Sequence, residues 1–227
     1  MKKLFIVLFI AMSAILFGEK QNIEAKSVAI NDDNFPDFYF QVFIKNSFDT
    51  NKDGKLSDKE CAAVTEINVG RPSEYRSDLE YPAPDTLEGI EFFPNLKTLD
   101  CTECGLYNLD ISRNKKLEYL NCNYNNLERL YVKKNTKLKT LNYTDNKLKK
   151  IDVSKNKKLQ IFFCCDNQIK KINIDKNKKL KKLIVSTNLI QKLNIKKLSD
   201  LELLCCGENK IKKLDVSHNK KLVTLEC

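Results

Sequence analysis

The sequence predicts a mainly β solenoid of about six and a half coils, closed at its N-terminal end by a small helical cap. Three observations predict it. Leu96, Leu117, Leu138, Leu159, Leu180, Leu201 and Leu222 recur every 21 residues. Cys101, Cys122, Tyr143, Cys164, Val185, Cys206 and Cys227 form a second column in the same register, and Cys104, Asn125, Asn146, Asn167, Asn188 and Asn209 a third. Repetition this strict marks units with too little apolar surface to fold alone, which stack so that neighbours bury one another.

Within a coil, the alternation of Leu120 and Cys122 is a period-two strand signal, with Asn121 and Asn123 facing the other way. The second half repeats the theme as Leu127, Leu130, Val132 and Asn135. Halves of 10 and 11 residues leave no room for a helix, so extended segments are expected behind the strands. An Asn amide carries two donors and an acceptor, so stacked asparagines can satisfy turn backbone groups of the next coil. Two positions depart from the pattern: Cys104 stands for a first-column Asn, and Leu198 for a second-half Asn. The spacing L-x-x-L-x-[C/L]-x-x-N resembles the leucine-rich repeat, which implies a leucine-rich-repeat solenoid over residues 96–227.

Residues 1–25 read as a signal peptide, with Lys2 and Lys3 before a 14-residue apolar run from Leu4 to Phe17 that is too short to span a membrane. No second apolar segment follows, so the mature chain is expected to be secreted, extracellular or cell-wall associated. Residues 26–66 read as the helical cap, and residues 67–95 as a capping strand and loop. The first helix is expected to be capped by Asn34 or Asp33, with Pro36 in its first turn and Phe38, Val42 and Phe43 on one face.

The most specific local motif is DTNKDGKLSDKE, Asp49 to Glu60, which fits D-x-[DN]-x-[DN]-G-x5-E at every position. It resembles an EF-hand calcium loop. The resemblance implies side-chain ligands from Asp49, Asn51 and Asp53, a sharp turn at Gly54, the carbonyl of Lys55, Ser57 directly or through water, and both oxygens of Glu60. Ca2+ is thus the expected cofactor, in a structural role. Leu56 should point inward, and Ser57 with Glu60 forms a capping box for the exit helix. EF-hands usually pair, and with no second loop in the chain this one is expected to lean on the solenoid. A first strand follows at Ile67 to Val69, then a polar surface loop from Arg71 to Asp85, and Leu87 to Leu96 restores the repeat. This order of segments resembles secreted, internalin-like leucine-rich-repeat proteins of Gram-positive anaerobes, which implies a binding protein.

The net charge of +10 conceals two opposed halves. Residues 26–94 carry 7 basic against 14 acidic side chains, and residues 95–227 carry 30 against 14. Lysine pairs recur in register, among them Lys149–Lys150, Lys170–Lys171 and Lys212–Lys213, and stacking turns them into basic ladders that attract polyanions. Secretion favours a glycan over nucleic acid as the polyanion. The nine cysteines lie mostly in the inward column and are expected to be buried free thiols, Cys101 and Cys104 included. His218 is the single histidine and no inward cysteine can reach it, so no catalysis is expected. The candidate ligand surface is the concave strand face, polar with Tyr119 and Tyr124 in the early coils and apolar from Ile161 onward, through Phe163, Ile184 and Leu203. The expected partner is an extracellular protein or a polyanionic glycan; the alternatives are a structural envelope component or a thiol-based redox or metal protein. The last strand, ending at Cys227 partway through a coil, is expected to be an open edge able to self-associate.

Overall fold

The computed structural model describes residues 27–71 and 83–227. The expected signal peptide and most of the Arg71–Asp85 loop lie outside the described residues.

The cap is built on phenylalanine. Helix α1 (Phe38–Phe48) buries Phe40 and Ile44, one turn apart, while Phe38 and Val42 stay exposed. The expected buried face of Phe38, Val42 and Phe43 is therefore corrected; of these only Phe43 packs against the core. The helix also starts later than expected. Asp37, and not Asp33 or Asn34, caps it by accepting from the Phe40 amide at 2.8 Å. Asn34 is occupied elsewhere, its amide donating to the Ala29 carbonyl at 3.0 Å. Pro36 precedes the cap, and the residue before it, Phe35, is fully buried against Phe40, Phe92 and Phe93. Burying Phe35 outside the helix fixes the chain's entry and moves the start downstream. Gly89 is the floor under that ring: it sits at φ +100°, and a Cβ there would meet Phe35 at 2.3 Å.

After the acidic loop, α2 (Asp58–Ala63) begins at the expected capping box, with Ser57 and Glu60 bonded reciprocally. Strand β1 (Val28–Ala29) pairs antiparallel with β2 (Lys55–Leu56). Strand β3 (Glu66–Asn68), one residue earlier than expected, opens the solenoid.

A parallel eight-stranded sheet then runs in chain order from β3 through β4 (Thr98–Asp100), β5 (Tyr119–Asn121), β6 (Thr140–Asn142), β7 (Ile161–Phe163), β8 (Lys182–Ile184), β9 (Leu203–Cys205) and β10 (Thr224–Glu226). The register places Leu99 beside Leu120, Leu120 beside Leu141 and Leu141 beside Phe162, so the central side chain of each coil stacks on its equivalent. Among the described residues of the repeats no helix lies behind the sheet, as the half-coil lengths require. The result is a parallel β solenoid of about six turns.

Both asparagine columns are buried, and they do different work. Asn125 donates to the carbonyls of Cys101, Cys122 and Asn123 and accepts from the Leu106 amide at 2.9 Å. Asn146 repeats this with Cys122, Tyr143, Thr144 and the Leu127 amide. The bonds run back to the preceding coil as well as within the turn, not forward to the next coil. In the second column Asn135, Asn156 and Asn177 donate to two carbonyls each, and their oxygens find no partner. Cys104 fills the first-column gap by turning its thiol to the Val69 carbonyl at 3.4 Å. One feature carries no sequence signature: Glu103, Tyr124, Asp145, Asp166, Thr187 and Glu208, equivalent in six coils, all hold left-handed φ between 51° and 55°.

Candidate functional site

In the acidic loop, the side chains of the first three expected ligands fold over the loop's own amides. Asp49 accepts from the amides of Asp53 at 3.1 Å and Gly54 at 3.0 Å, Asn51 from that of Asp53 at 3.1 Å, and Asp53 from that of Lys55 at 2.9 Å. Lys52 and Gly54 take the positive φ that so tight a turn needs. Glu60 closes the loop from the other end. One of its oxygens accepts from the Thr50 amide at 2.8 Å and from the Thr50 hydroxyl, and the other from the amide and hydroxyl of Ser57 at 2.9 and 2.8 Å. These bonds, from the Thr50 hydroxyl first and then from Ser57, lower the Glu60 pKa to about 2.

The donor set is oxygen throughout, which suits a hard divalent cation. Asp49 is buried at 5% exposure, and no lysine or arginine among the described residues pairs with it. A buried carboxylate without a counter-charge is costly, and a cation removes that cost. Among the described residues no three acidic, histidine or cysteine side chains surround a common point. Glu60 is part of the reason, since its carboxylate is committed to Thr50 and Ser57. The residues fit calcium in kind, and ligation by Glu60 requires its side chain to leave those two partners. The loop's other neighbour is unexpected: Lys55 and Leu56 pair with β1, and the Gly54 carbonyl accepts from the Ile30 amide at 3.0 Å. The segment before α1 thus pairs with the loop where a second loop would, and Leu56 is buried in the core shared with the solenoid. The segment's only sequence trace is the short apolar run from Val28 to Ile30.

The concave face presents two outward columns. One runs Thr98, Tyr119, Thr140, Ile161, Lys182, Leu203; the other Asp100, Asn121, Asn142, Phe163, Ile184, Cys205. In the early coils it is a hydrogen-bonded polar surface: Asp100 accepts from the Thr102 hydroxyl at 2.6 Å and from the Asn121 amide at 2.9 Å. From β7 the character changes within one coil. Phe163 and Ile184 are direct register partners, and Ile161 and Leu203 flank them, all half-buried. Tyr119 lies on β5 as expected, whereas Tyr124 lies beyond the strand, in the left-handed turn. Lys182 is the one cation in these two columns.

The cysteines are unbridged among the described residues. Burial pushes the Cys164 thiol up to about 12 and the Cys101 and Cys122 thiols well above their ordinary value. Protonated thiols are poor nucleophiles, which weighs against a redox role for these three at neutral pH.

No family model and no curated protein matches the chain. Solved structures do. The functional domain of InlJ from Listeria monocytogenes, described as including a cysteine ladder, is 26% identical with a TM-score of 0.55, over 89% of this chain and 52% of that one. The leucine-rich-repeat protein LIC12759 of Leptospira interrogans is 28% identical with a TM-score of 0.57, over 61% of this chain and 38% of that one. The internalin inlF of Listeria monocytogenes, 18% identical with a TM-score of 0.63 over 90% of this chain and 66% of that one, matches in fold. The chain therefore spans about half the length of the Listeria InlJ domain it resembles and less of the Leptospira protein. Its neighbours are internalin-like leucine-rich-repeat proteins, and it shares their solenoid fold.

Proposed function

We propose that this chain is a secreted, non-enzymatic binding protein that recognises an extracellular protein on its concave face, with calcium locking the cap. The observation that carries the reading is the change of the concave face at β7, where Phe163 and Ile184 replace a column of Asp and Asn. A solvent-facing sheet has no folding reason to place an aromatic and three large aliphatic side chains side by side, and such patches mark partner surfaces. With Lys182 as the one cation in its two columns, this face does not suit a polyanion. Phe163→Ser should cut capture of a purified surface-protein partner by roughly 30-fold or more, the effect of losing an aromatic hot spot. The melting temperature should stay within a degree or two, because Phe163 lies outside the core. Unchanged capture, or a large loss of stability, defeats this reading.

Calcium in the loop is a lock on the cap and not a switch that opens a groove. Asp49, Asp53, Asp58 and Glu60 crowd four carboxylates into twelve residues, and an ion held by Asp49, Asn51, Asp53, the Lys55 carbonyl, Ser57 and Glu60 relieves their repulsion. At a free concentration about 100 times Kd the ion stabilises the folded cap by roughly 2.7 kcal/mol. Chelation should lower the melting temperature. Glu60→Gln, which keeps an acceptor for only one of Thr50 and Ser57 and loses a bidentate ligand, should melt at or below the chelated wild type and ignore added calcium. In chelator, the Glu60 contribution should persist above about pH 4.5 and vanish as pH falls through about 2, because its folded-state pKa is depressed. Identical wild-type melting curves in chelator and in millimolar calcium rule the lock out.

A further inference from the structure

The basic side chains that the concave face lacks are gathered on the back of the solenoid, and they line something with shape. Three hollows of about 300, 950 and 780 Å3 follow one another along the axis. Lys150 lines the first, Lys171 the second, Lys192 the second and third, and Lys213 the third. With Arg129 these residues occupy the same position of five consecutive coils. Coils stack about 4.8 Å apart at the sheet, so the five cations in register form a row of at least about 19 Å. Lys149, Lys170 and Lys212 double it from the neighbouring position in three of those coils.

This row is uncompensated. The acids lining the groove are held by lysines outside the row, Asp152 by Lys133 at 2.9 Å and Asp175 by Lys197 at 3.1 Å. Asp215, one coil further on, is held by Lys196 at 3.3 Å. Among the described residues none of the eight row cations pairs with an acid. The floor between them is apolar, made of Ile151, Ile172 and Leu193, and interrupted by the amides of Asn173 and Asn194. One aromatic, Tyr131, lines these hollows, at one end.

We propose that a linear anionic polysaccharide lies along the axis in this groove, its acid groups on the Arg129–Lys213 row and its sugar rings over the aliphatic floor. The repeat distance of the row is of the order of one sugar ring, and a ring offers an apolar face to the aliphatic floor and hydroxyls to the asparagines. A single-stranded nucleic acid needs successive aromatic platforms for its bases, and four of these five coils offer none. The surface is separate from the concave face, so either reading can fail without the other.

The test uses the full chain and two variants of equal charge. Lys171→Glu with Lys192→Glu reverses the centre of the row. Lys157→Glu with Lys178→Glu reverses two exposed lysines that line none of these hollows. Binding is measured to a heparin oligosaccharide, a hyaluronan oligosaccharide, neutral dextran and oligouridylate, across a salt series. The expected result is salt-sensitive binding of the sulfated or the carboxylated chain, none of dextran, at least a tenfold loss in the row variant and less than a threefold loss in the other. Which of the two anionic chains binds tighter identifies the acid group. Equal losses in both variants would reduce the effect to net charge and overturn the groove. Tighter binding of oligouridylate, lost in the row variant, would overturn the polysaccharide, and absence of binding to all four would overturn both.

Discussion

Asn146→Ala is expected to destabilise the solenoid by about 2–4 kcal/mol, and Asn156→Leu by less than about 1 kcal/mol, although both asparagines are buried and belong to equally regular columns. Asn146 is fully used. Its oxygen is the acceptor for the Leu127 amide at 3.0 Å, and its amide donates to carbonyls of two coils. Removing it orphans a buried N–H, the most expensive kind of vacancy, and strips shared donors from several carbonyls. Asn156 donates to the carbonyls of Val132 and Asn135, each of which also accepts from a backbone amide. Its own oxygen has no partner, so leucine there removes a buried orphan as it removes two bonds. The chain already contains this substitution: Leu198 occupies the equivalent position at 1% exposure, and its carbonyl still accepts from Asn219 at 2.8 Å. Urea unfolding followed by circular dichroism checks the pair. Equal losses would mean that the two columns are interchangeable and the hydrogen-bond inventory is misleading.

The second large effect is at Tyr143, the odd member of the cysteine column. Its ring is fully buried, 5.7 Å from that of Phe162. Space for it exists because the residues stacked above and below it in the column, Cys122 and Cys164, are small. Tyr143→Ala should therefore cost about 3–5 kcal/mol, because two rigid neighbouring coils cannot collapse into the void. Tyr143→Phe should change stability by less than about 1 kcal/mol. The hydroxyl finds no oxygen or nitrogen partner and faces the Cys164 sulfur, a weak one. A loss of several kcal/mol in the phenylalanine variant would show that the hydroxyl matters more than this geometry allows.

The repeats were legible because a 21-residue period restates the same burial requirement in every coil, and chance cannot imitate that. The inward columns, the two broken positions and the strand phase of Ile161 and Phe163 all follow from it. The cap was less legible. Phe35, Phe38, Phe40, Phe43 and Phe48 surround a helix of 11 residues with aromatic side chains, so spacing alone does not say which face is inward. Burial of Phe35 settles it, a tertiary event with no local signature. Strand β1 was invisible as the loop's partner because two residues carry no periodicity. The left-handed row was invisible for another reason. Such turns are ordinarily read from glycine, and here Glu, Tyr, Asp and Thr occupy them. The packing of each coil on the next imposes the conformation, against a local preference of roughly 1–2 kcal/mol per residue.

The first asparagine column also gives the molecule a direction of growth. Every member from Asn125 to Asn209 reaches back to a carbonyl 24 residues earlier and accepts from an amide 19 residues earlier. A newly forming coil therefore docks onto groups already fixed in the coil before it, and leaves its own for the coil to come. Assembly that starts at the phenylalanine cap and advances coil by coil follows the order in which a ribosome, or a translocation pore, releases the chain.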